Sequence, residues 1–306
     1  MTDYAWTINR RTFLASLTAM ALMPAGKGLA AQMRAKPIPA TGELLPCIGM
    51  GSWMTFNVSD GTGLRDLRIE VLRAFFNAGG GMVDSSPMYG DSEEVIGYCL
   101  GKLPDVSTLF SATKVWTPMQ WHGKRQIDTS EQLWGEKRFD LLQIHNLLNW
   151  ESHLETLLQY KADGRVRYIG VTTSHGRRHD ELEHIMKTQP IDFIQLTYNM
   201  IDREAEQRLL PLAREKGLAV ICNRPFQRGG LFDQFQSHPL PTWAAEIECA
   251  NWAQFFLKFI VSHDAVSCAI PATSRVDHMR ENMGAGLGIL PDDAMRNRMI
   301  GYIEGL

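Results

Sequence analysis

Met82-Val83-Asp84-Ser85-Ser86-Pro87-Met88-Tyr89-Gly90 begins as a short apolar run, ends that run on a carboxylate, and breaks into a loop at Pro87. Residues 92–101 behind it have the spacing of a helix. The same unit recurs along the chain. Residues 47–51 precede a helical pattern at 66–78, carried by Leu67, Val71, Leu72 and Phe75, and residues 109–115 precede another at 127–136. Apolar runs at 139–145, 166–172, 191–197, 218–223 and 266–271 alternate with helical segments centred near Leu157, Leu182, Leu209 and Phe256. Further helices are read after Arg275 and at 292–303. The runs are continuously apolar rather than alternating, as strands are when both faces are buried. Eight strand–helix units in about 240 residues predict an α/β chain closed into a (β/α)8 TIM barrel, one domain over 31–306. An open doubly wound sheet would place a G-x-G-x-x-G turn after its first strand, and the sequence has none. Gly79-Gly80-Gly81 is read as letting the chain turn out of a helix.

Composition excludes several classes. Of 306 residues, 44% are hydrophobic and 21% charged, a globular balance rather than a disordered or fibrous one. A formal net charge of −3 gives no basic surface for nucleic acid. Local pairs such as Arg177-Arg178 read as solvated loop charge. Cys47, Cys99, Cys222, Cys249 and Cys268 are scattered, without a C-x-x-C pair, so neither a disulfide framework nor a thiolate metal site is indicated. His175, His179 and His184 have H-x-x-x-H spacing but lack an evident third ligand, and no metal is expected.

The first thirty residues read as an address. Asn9-Arg10-Arg11-Thr12-Phe13-Leu14 resembles a twin-arginine export signature, followed by a weakly apolar run to Met23 and small residues through Ala31. That run is far short of the roughly 20 residues that span a bilayer. It therefore reads as a signal h-region with no stable membrane span, cleaved near Ala30 after Gly28-Leu29. Residues 1–30 are thus expected to engage the twin-arginine export machinery, and the protein to be periplasmic or otherwise extracytoplasmic. That route carries folded proteins, which fits an enzyme that acquires its cofactor before export.

Chemistry-bearing residues concentrate at strand ends. Asp84 and Tyr89 follow one strand, Lys114 ends Phe110-Ser111-Ala112-Thr113-Lys114, and His145 ends Asp140-Leu141-Leu142-Gln143-Ile144-His145. In a barrel, such positions face one shared mouth. A phenol, an ammonium, a carboxylate and an imidazole brought together there can protonate a carbonyl oxygen while hydride arrives from elsewhere. Taken in order with Leu45-Pro46-Cys47-Ile48-Gly49-Met50-Gly51-Ser52-Trp53, Gly164-Arg165-Val166-Arg167-Tyr168-Ile169-Gly170-Val171 and Ile270-Pro271-Ala272-Thr273-Ser274-Arg275, these pieces resemble the aldo/keto reductase superfamily over nearly all of 46–285.

The resemblance implies an NADP(H)-dependent oxidoreductase that reduces a small-molecule aldehyde or ketone. Tyr89 would be the general acid, Lys114 would favour its phenolate, Asp84 would position Lys114, and His145 would orient the substrate oxygen. Gly51, Ser52, Trp53, Thr172, Thr173, Gln195, Asn223, Arg224, Pro225 and Phe226 fall at the family's nicotinamide and diphosphate positions. Thr273, Ser274 and Arg275, at a helix start, would take a phosphate, and Glu281 with Asn282 the adenine. Arg275 as partner to a 2′-phosphate favours NADPH over NAD(H). Thr172-Thr173 stand where the family uses Ser-Asn, and Asn223 stands where many members stack a tyrosine on the nicotinamide. Those departures leave an alternative open, a non-catalytic barrel that senses nucleotide redox state. A Schiff-base lyase using Lys114 is a third reading, with less need of Tyr89 and Asp84. Trp53, Met88, Trp116 and Trp121 are candidates to line an apolar, open substrate mouth.

Overall fold

The structure, a computed structural model, describes residues 32–59 and 63–306, so the export sequence read at 1–30 lies outside the described residues. Phe110-Ser111-Ala112-Thr113-Lys114-Val115 illustrates why these runs become interior strands. All six residues are buried, and each polar one has an internal partner: Ser111 bonds Asp140, Thr113 bonds Glu93, and Lys114 bonds Asp84.

In chain order the strands are β1 (Ala35–Pro37), β2 (Leu44–Pro46), β3 (Met50–Gly51), β4 (Met82–Asp84), β5 (Phe110–Val115), β6 (Phe139–Ile144), β7 (Val166–Thr172), β8 (Phe193–Thr197), β9 (Ala219–Asn223) and β10 (Cys268–Ala269). The helices are α1 (Leu64–Asn77), α2 (Ser92–Leu100), α3 (Gln120–Trp134), α4 (Trp150–Ala162), α5 (His179–Thr188), α6 (Leu209–Lys216), α7 (Gly230–Phe235), α8 (Trp252–Ser262), α9 (Val276–Gly284) and α10 (Asp293–Glu304). Strands β3 to β10 pair in sequence order, each parallel to the next. Bridges Ile48↔Ala269 and Gly51↔Ala272 carry the last strand back to the first, as the barrel reading requires.

Two apolar clusters hold this wall. Phe110, Leu141, Tyr168, Phe193 and Ile221 fill the lumen, while a larger set packs the strands against the surrounding helices. The lumen is stoppered at its lower end by the antiparallel hairpin β1–β2, whose Ile38 and Leu45 join the interior cluster. Nothing in the sequence reading anticipated this hairpin, because three-residue strands are too short to show a period. Helix α3 also begins at Gln120 rather than 127. Its first turns carry Lys124, Arg125 and Gln126 with no apolar stripe, and Gly123 fits there because a Cβ would lie 2.6 Å from His153 Cε1.

Helices α2 and α3 approach backbone to backbone at Gly97. A Cβ on Gly97 would fall 1.8 Å from Leu133 O, a main-chain atom that can retreat only if α3 moves. Gly97→Ala is therefore expected to lower stability by about 1–3 kcal/mol or more, by overpacking. A shift of the urea midpoint to lower concentration at unchanged slope checks it. An unshifted midpoint would contradict the close approach.

Candidate active site

Register brings the first pair together. Asp84 lies opposite Ala112 across β4 and β5, and Lys114, two residues further along, shares the face of Ala112. Lys114 Nζ donates to Asp84 Oδ2 at 2.6 Å and to Ser85 O at 2.7 Å. The other carboxylate oxygen, Oδ1, accepts from Gln143 Nε2 at 3.1 Å and Gln195 Nε2 at 3.0 Å. Lys114 is 0% and Asp84 2% exposed, so this is an ion pair removed from water and sustained by its hydrogen bonds. Burial lowers the ammonium pKa, and the field of Asp84 opposes that shift.

Tyr89 sits above the pair on the loop after β4. Lys114 Nζ is 5.3 Å from the Tyr89 ring centroid. The His145 ring meets Tyr89 edge-on, with centroids 5.6 Å apart and planes at 86°. Burial, and then the charge of Asp84, raise the phenol pKa above the usual tyrosine value. This departs from the expectation that Lys114 would tip Tyr89 towards phenolate. The ammonium is already engaged by Asp84 and by Ser85 O, and desolvation of the phenolate dominates. His145 follows the end of β6, its Nδ1 2.9 Å from Ser86 Oγ. Burial, reinforced by the Lys114 charge, holds its pKa well below the ordinary histidine value, so the ring is neutral at neutral pH. With Nδ1 held by Ser86, Nε2 is the remaining hydrogen-bonding atom of the ring.

These side chains line the floor of a cavity of about 710 Å³ at the C-terminal ends of the strands. Gly51, Ser52, Trp53, Asp84, Tyr89, His145, Thr172, Thr173, Gln195, Asn223, Arg224, Pro225 and Phe226 all border it. Lys114 lies behind Asp84 and does not reach the surface of the cavity. The cavity wall ends at Ala272, and beyond it Thr273, Ser274 and Arg275 lead into α9, which carries Glu281 and Asn282. Arg275 is largely exposed and pairs with Asp277. Trp53 and Met88 line the cavity as expected, whereas Trp116 and Trp121 are exposed and do not. Trp121 falls on the first turn of α3, which carries it away from the mouth.

Sequence reasoning overlooked Ser86 and Gln143, which orient His145 and Asp84, and the cavity residues Met54, Asn146, His175, Arg177 and Arg228. Position just after a strand was the available signal for most of them. Arg177-Arg178, read as solvated loop charge, stands at the cavity edge.

The two departures from the family pattern have definite places. Thr172 Oγ1 accepts from Asn146 N at 2.9 Å, fixing the turn after His145. Asn223 Nδ2 donates to Thr173 O at 2.8 Å, and Asn223 Oδ1 accepts from Thr197 Oγ1 at 2.7 Å. Thr173 Oγ1 is buried without a hydrogen-bond partner, although its residue borders the cavity. An orphaned hydroxyl there suits a polar ligand such as a carboxamide. His179 pairs with Glu204 at 3.4 Å, and among the described residues no group of three His, Cys, Asp or Glu is placed to hold a metal. All five cysteines are buried and free.

A parallel eight-stranded barrel with a buried ion pair, a phenol and a neutral imidazole at its mouth defines a site built for proton handling next to a bound organic ligand. The aldo/keto reductase family profile matches residues 47–297, and the chain belongs to that family. It is 26% identical over 260 residues to the methylglyoxal reductase YeaE of Escherichia coli, covering 82% of this chain and 89% of that protein. It is 27% identical to the aldo-keto reductase str7 of Strobilurus tenacellus, over 72% and 76% of the two chains. Among solved structures, an aldo/keto reductase from Klebsiella pneumoniae in complex with NADP and acetate superposes with a TM-score of 0.72 at 22% identity, covering 85% of this chain and 92% of that one. No helix among the described residues is long and apolar enough to cross a membrane.

Proposed function

We propose that this protein is an exported NADP(H)-dependent reductase of aldehydes and ketones in which Tyr89 protonates the carbonyl oxygen. One observation carries the reading: Tyr89 and His145 meet at the floor of one cavity, directly above the buried Lys114–Asp84 pair. The similar Klebsiella pneumoniae structures with NADP and with NADPH, and the methylglyoxal reductase of Escherichia coli, support it. Reduced nicotinamide, when bound, supplies the hydride that reaches the carbonyl carbon. The chain's own residues do the rest. Tyr89 gives its proton to the oxygen as negative charge develops there, neutral His145 holds that oxygen, and the Lys114–Asp84 pair fixes the charge beneath the phenol.

Thr173, with its free hydroxyl, Gln195 and Asn223 would hold the carboxamide. Gly51, Ser52, Trp53, Thr172, Pro225 and Phe226 would border the ring and diphosphate, and Thr273, Ser274, Arg275, Glu281 and Asn282 the adenosine end. Arg275 must turn from Asp277 to meet a 2′-phosphate, and exposed ion pairs of that kind are weak competitors. Arg275→Ala is accordingly expected to weaken NADPH about tenfold and NADH much less, from the loss of one charge-assisted contact. Fluorescence titration of both nucleotides checks it, and equal weakening would remove the 2′-phosphate role.

The decisive assay adds NADPH and methylglyoxal, or a panel of simple aldehydes, and follows nucleotide oxidation together with alcohol formation. Nucleotide binding without turnover of any carbonyl compound would favour the redox-sensing barrel instead. The export half of the proposal rests on the sequence at 9–31. Native protein whose N-terminus is intact Met1 or Thr2 in the cytoplasm would refute it.

A further inference from the structure

One arc of the cavity mouth is basic, and among the described residues its Arg177, Arg224 and Arg228 make no ion pair. Arg177 comes from the loop after β7, and Arg224 and Arg228 from the loop after β9, with His175 beside them; all four border the cavity. Arg178, next in the chain, is satisfied by Glu181. Arg177 and Arg224 have no side-chain hydrogen bond or ion pair among the described residues, and Arg228 lies over the Trp53 ring at 4.0 Å from its centroid. Asp202 acts on Arg224 through its field, but its Oδ2 already accepts from Asn199 Nδ2 and Gln227 Nε2, each at 2.8 Å.

Arg224 is partly buried, and its backbone is held in the left-handed region at φ 51°. Its carbonyl accepts from Asn199 Nδ2 at 3.1 Å and from Gln227 N at 3.0 Å, so the position is fixed by neighbours rather than by glycine's freedom. Burial and the nearby Arg228 charge lower the Arg224 pKa, and His175 is lowered by burial and by Arg224, Arg177 and Arg228. Like charges facing one another at a cavity edge, on a chain whose net charge is −3, are unfavourable until an anion neutralises them. Guanidinium groups are suited to carboxylate and phosphate, which they can hold in bidentate fashion.

We infer that Arg177 and Arg224, assisted by His175, bind an anionic group on the substrate, so the preferred substrates are aldehydes or ketones bearing a carboxylate or phosphate. This rests on the carbonyl-reductase reading of the same cavity. That takes Arg224 from the nucleotide position implied by the family resemblance and leaves Arg228, stacked on Trp53, to the diphosphate. The anion site also gives the cavity selectivity, since Met54, Phe226 and Phe232 elsewhere on its wall discriminate only by size and apolarity.

Succinic semialdehyde and butanal, which differ chiefly by a carboxylate, separate the possibilities. In the full chain with NADPH, Arg177→Ala and Arg224→Ala are each expected to lower the ratio of kcat/KM for succinic semialdehyde over butanal by about 10- to 100-fold, mainly through KM. Calorimetric titration of succinate into the NADPH-saturated protein gives a readout independent of turnover, and both variants should weaken it. An unchanged ratio with unchanged succinate binding overturns the inference. So does loss of NADPH affinity with equal losses on both aldehydes, which would assign these arginines to the nucleotide. If the wild type turns over neither aldehyde, the reductase reading fails by itself, and the succinate titration still decides whether the arginines form an anion site.

Discussion

Tyr89→Phe is expected to lower kcat for aldehyde reduction by about 100- to 10,000-fold, the range over which a positioned acid contributes, while reduced nucleotide still binds. The substitution removes one hydroxyl and leaves the ring contacts with His145 and Lys114 in place, so a purely structural role would cost little. Burial and Asp84 raise the phenol pKa, so Tyr89 stays protonated through neutral and mildly alkaline solution. Reduction should therefore not decline between about pH 7 and 9 through loss of this proton. The donor is weak in the resting site and becomes effective as charge builds on the carbonyl oxygen, which is where transition-state stabilisation is needed. Stopped-flow single turnovers across that pH range read the chemical step directly. Retention of more than about a tenth of the wild-type rate by the Phe variant would remove Tyr89 from the acid role.

What the sequence made legible follows from where side chains must point. Short continuous apolar runs alternating with helical segments fit strands buried on both faces, so the barrel and the strand ends carrying Asp84, Lys114 and His145 were readable from sequence. The partners of those residues were not. Gln143 and Gln195 clasp the same carboxylate oxygen from β6 and β8, and only the register around the barrel puts two such amides on one atom. The direction of the Tyr89 shift was hidden for a related reason. The pairing of Lys114 with Asp84 was foreseeable, but its second bond, to Ser85 O, and the depth of burial that dominates the phenol were matters of distance. Arg177 was misjudged because whether a loop charge faces water or the mouth depends on loop backbone, here turned by positive φ at His175 and Arg178. The hairpin stopper left no signal, since its strands are shorter than any period that could announce them.

The buried Asp84–Lys114 pair should respond asymmetrically to losing either member. Asp84→Leu leaves the ammonium with Ser85 O as its one remaining partner, whereas Lys114→Met leaves the carboxylate with two amide donors, from Gln143 and Gln195. Stranding a buried charge costs about 3–5 kcal/mol, so Asp84→Leu belongs at the upper end of that range and Lys114→Met at the lower. The double variant carries neither charge and should be more stable than Asp84→Leu alone, despite the two amides it leaves without an acceptor. Linkage gives a further sign. Burial lowers the folded-state pKa of Lys114, and without Asp84 nothing as strong opposes the shift. Below its unfolded value of about 10.4, the unfolded chain of Asp84→Leu then holds the proton more tightly than the folded one, so stability rises with pH in that window. Urea midpoints for the wild type and three variants at neutral and alkaline pH test all of this. Costs that simply add, with no gain towards alkaline pH, would mean that the two groups do not act as one unit, and the charge fixed beneath Tyr89 would lose its physical basis.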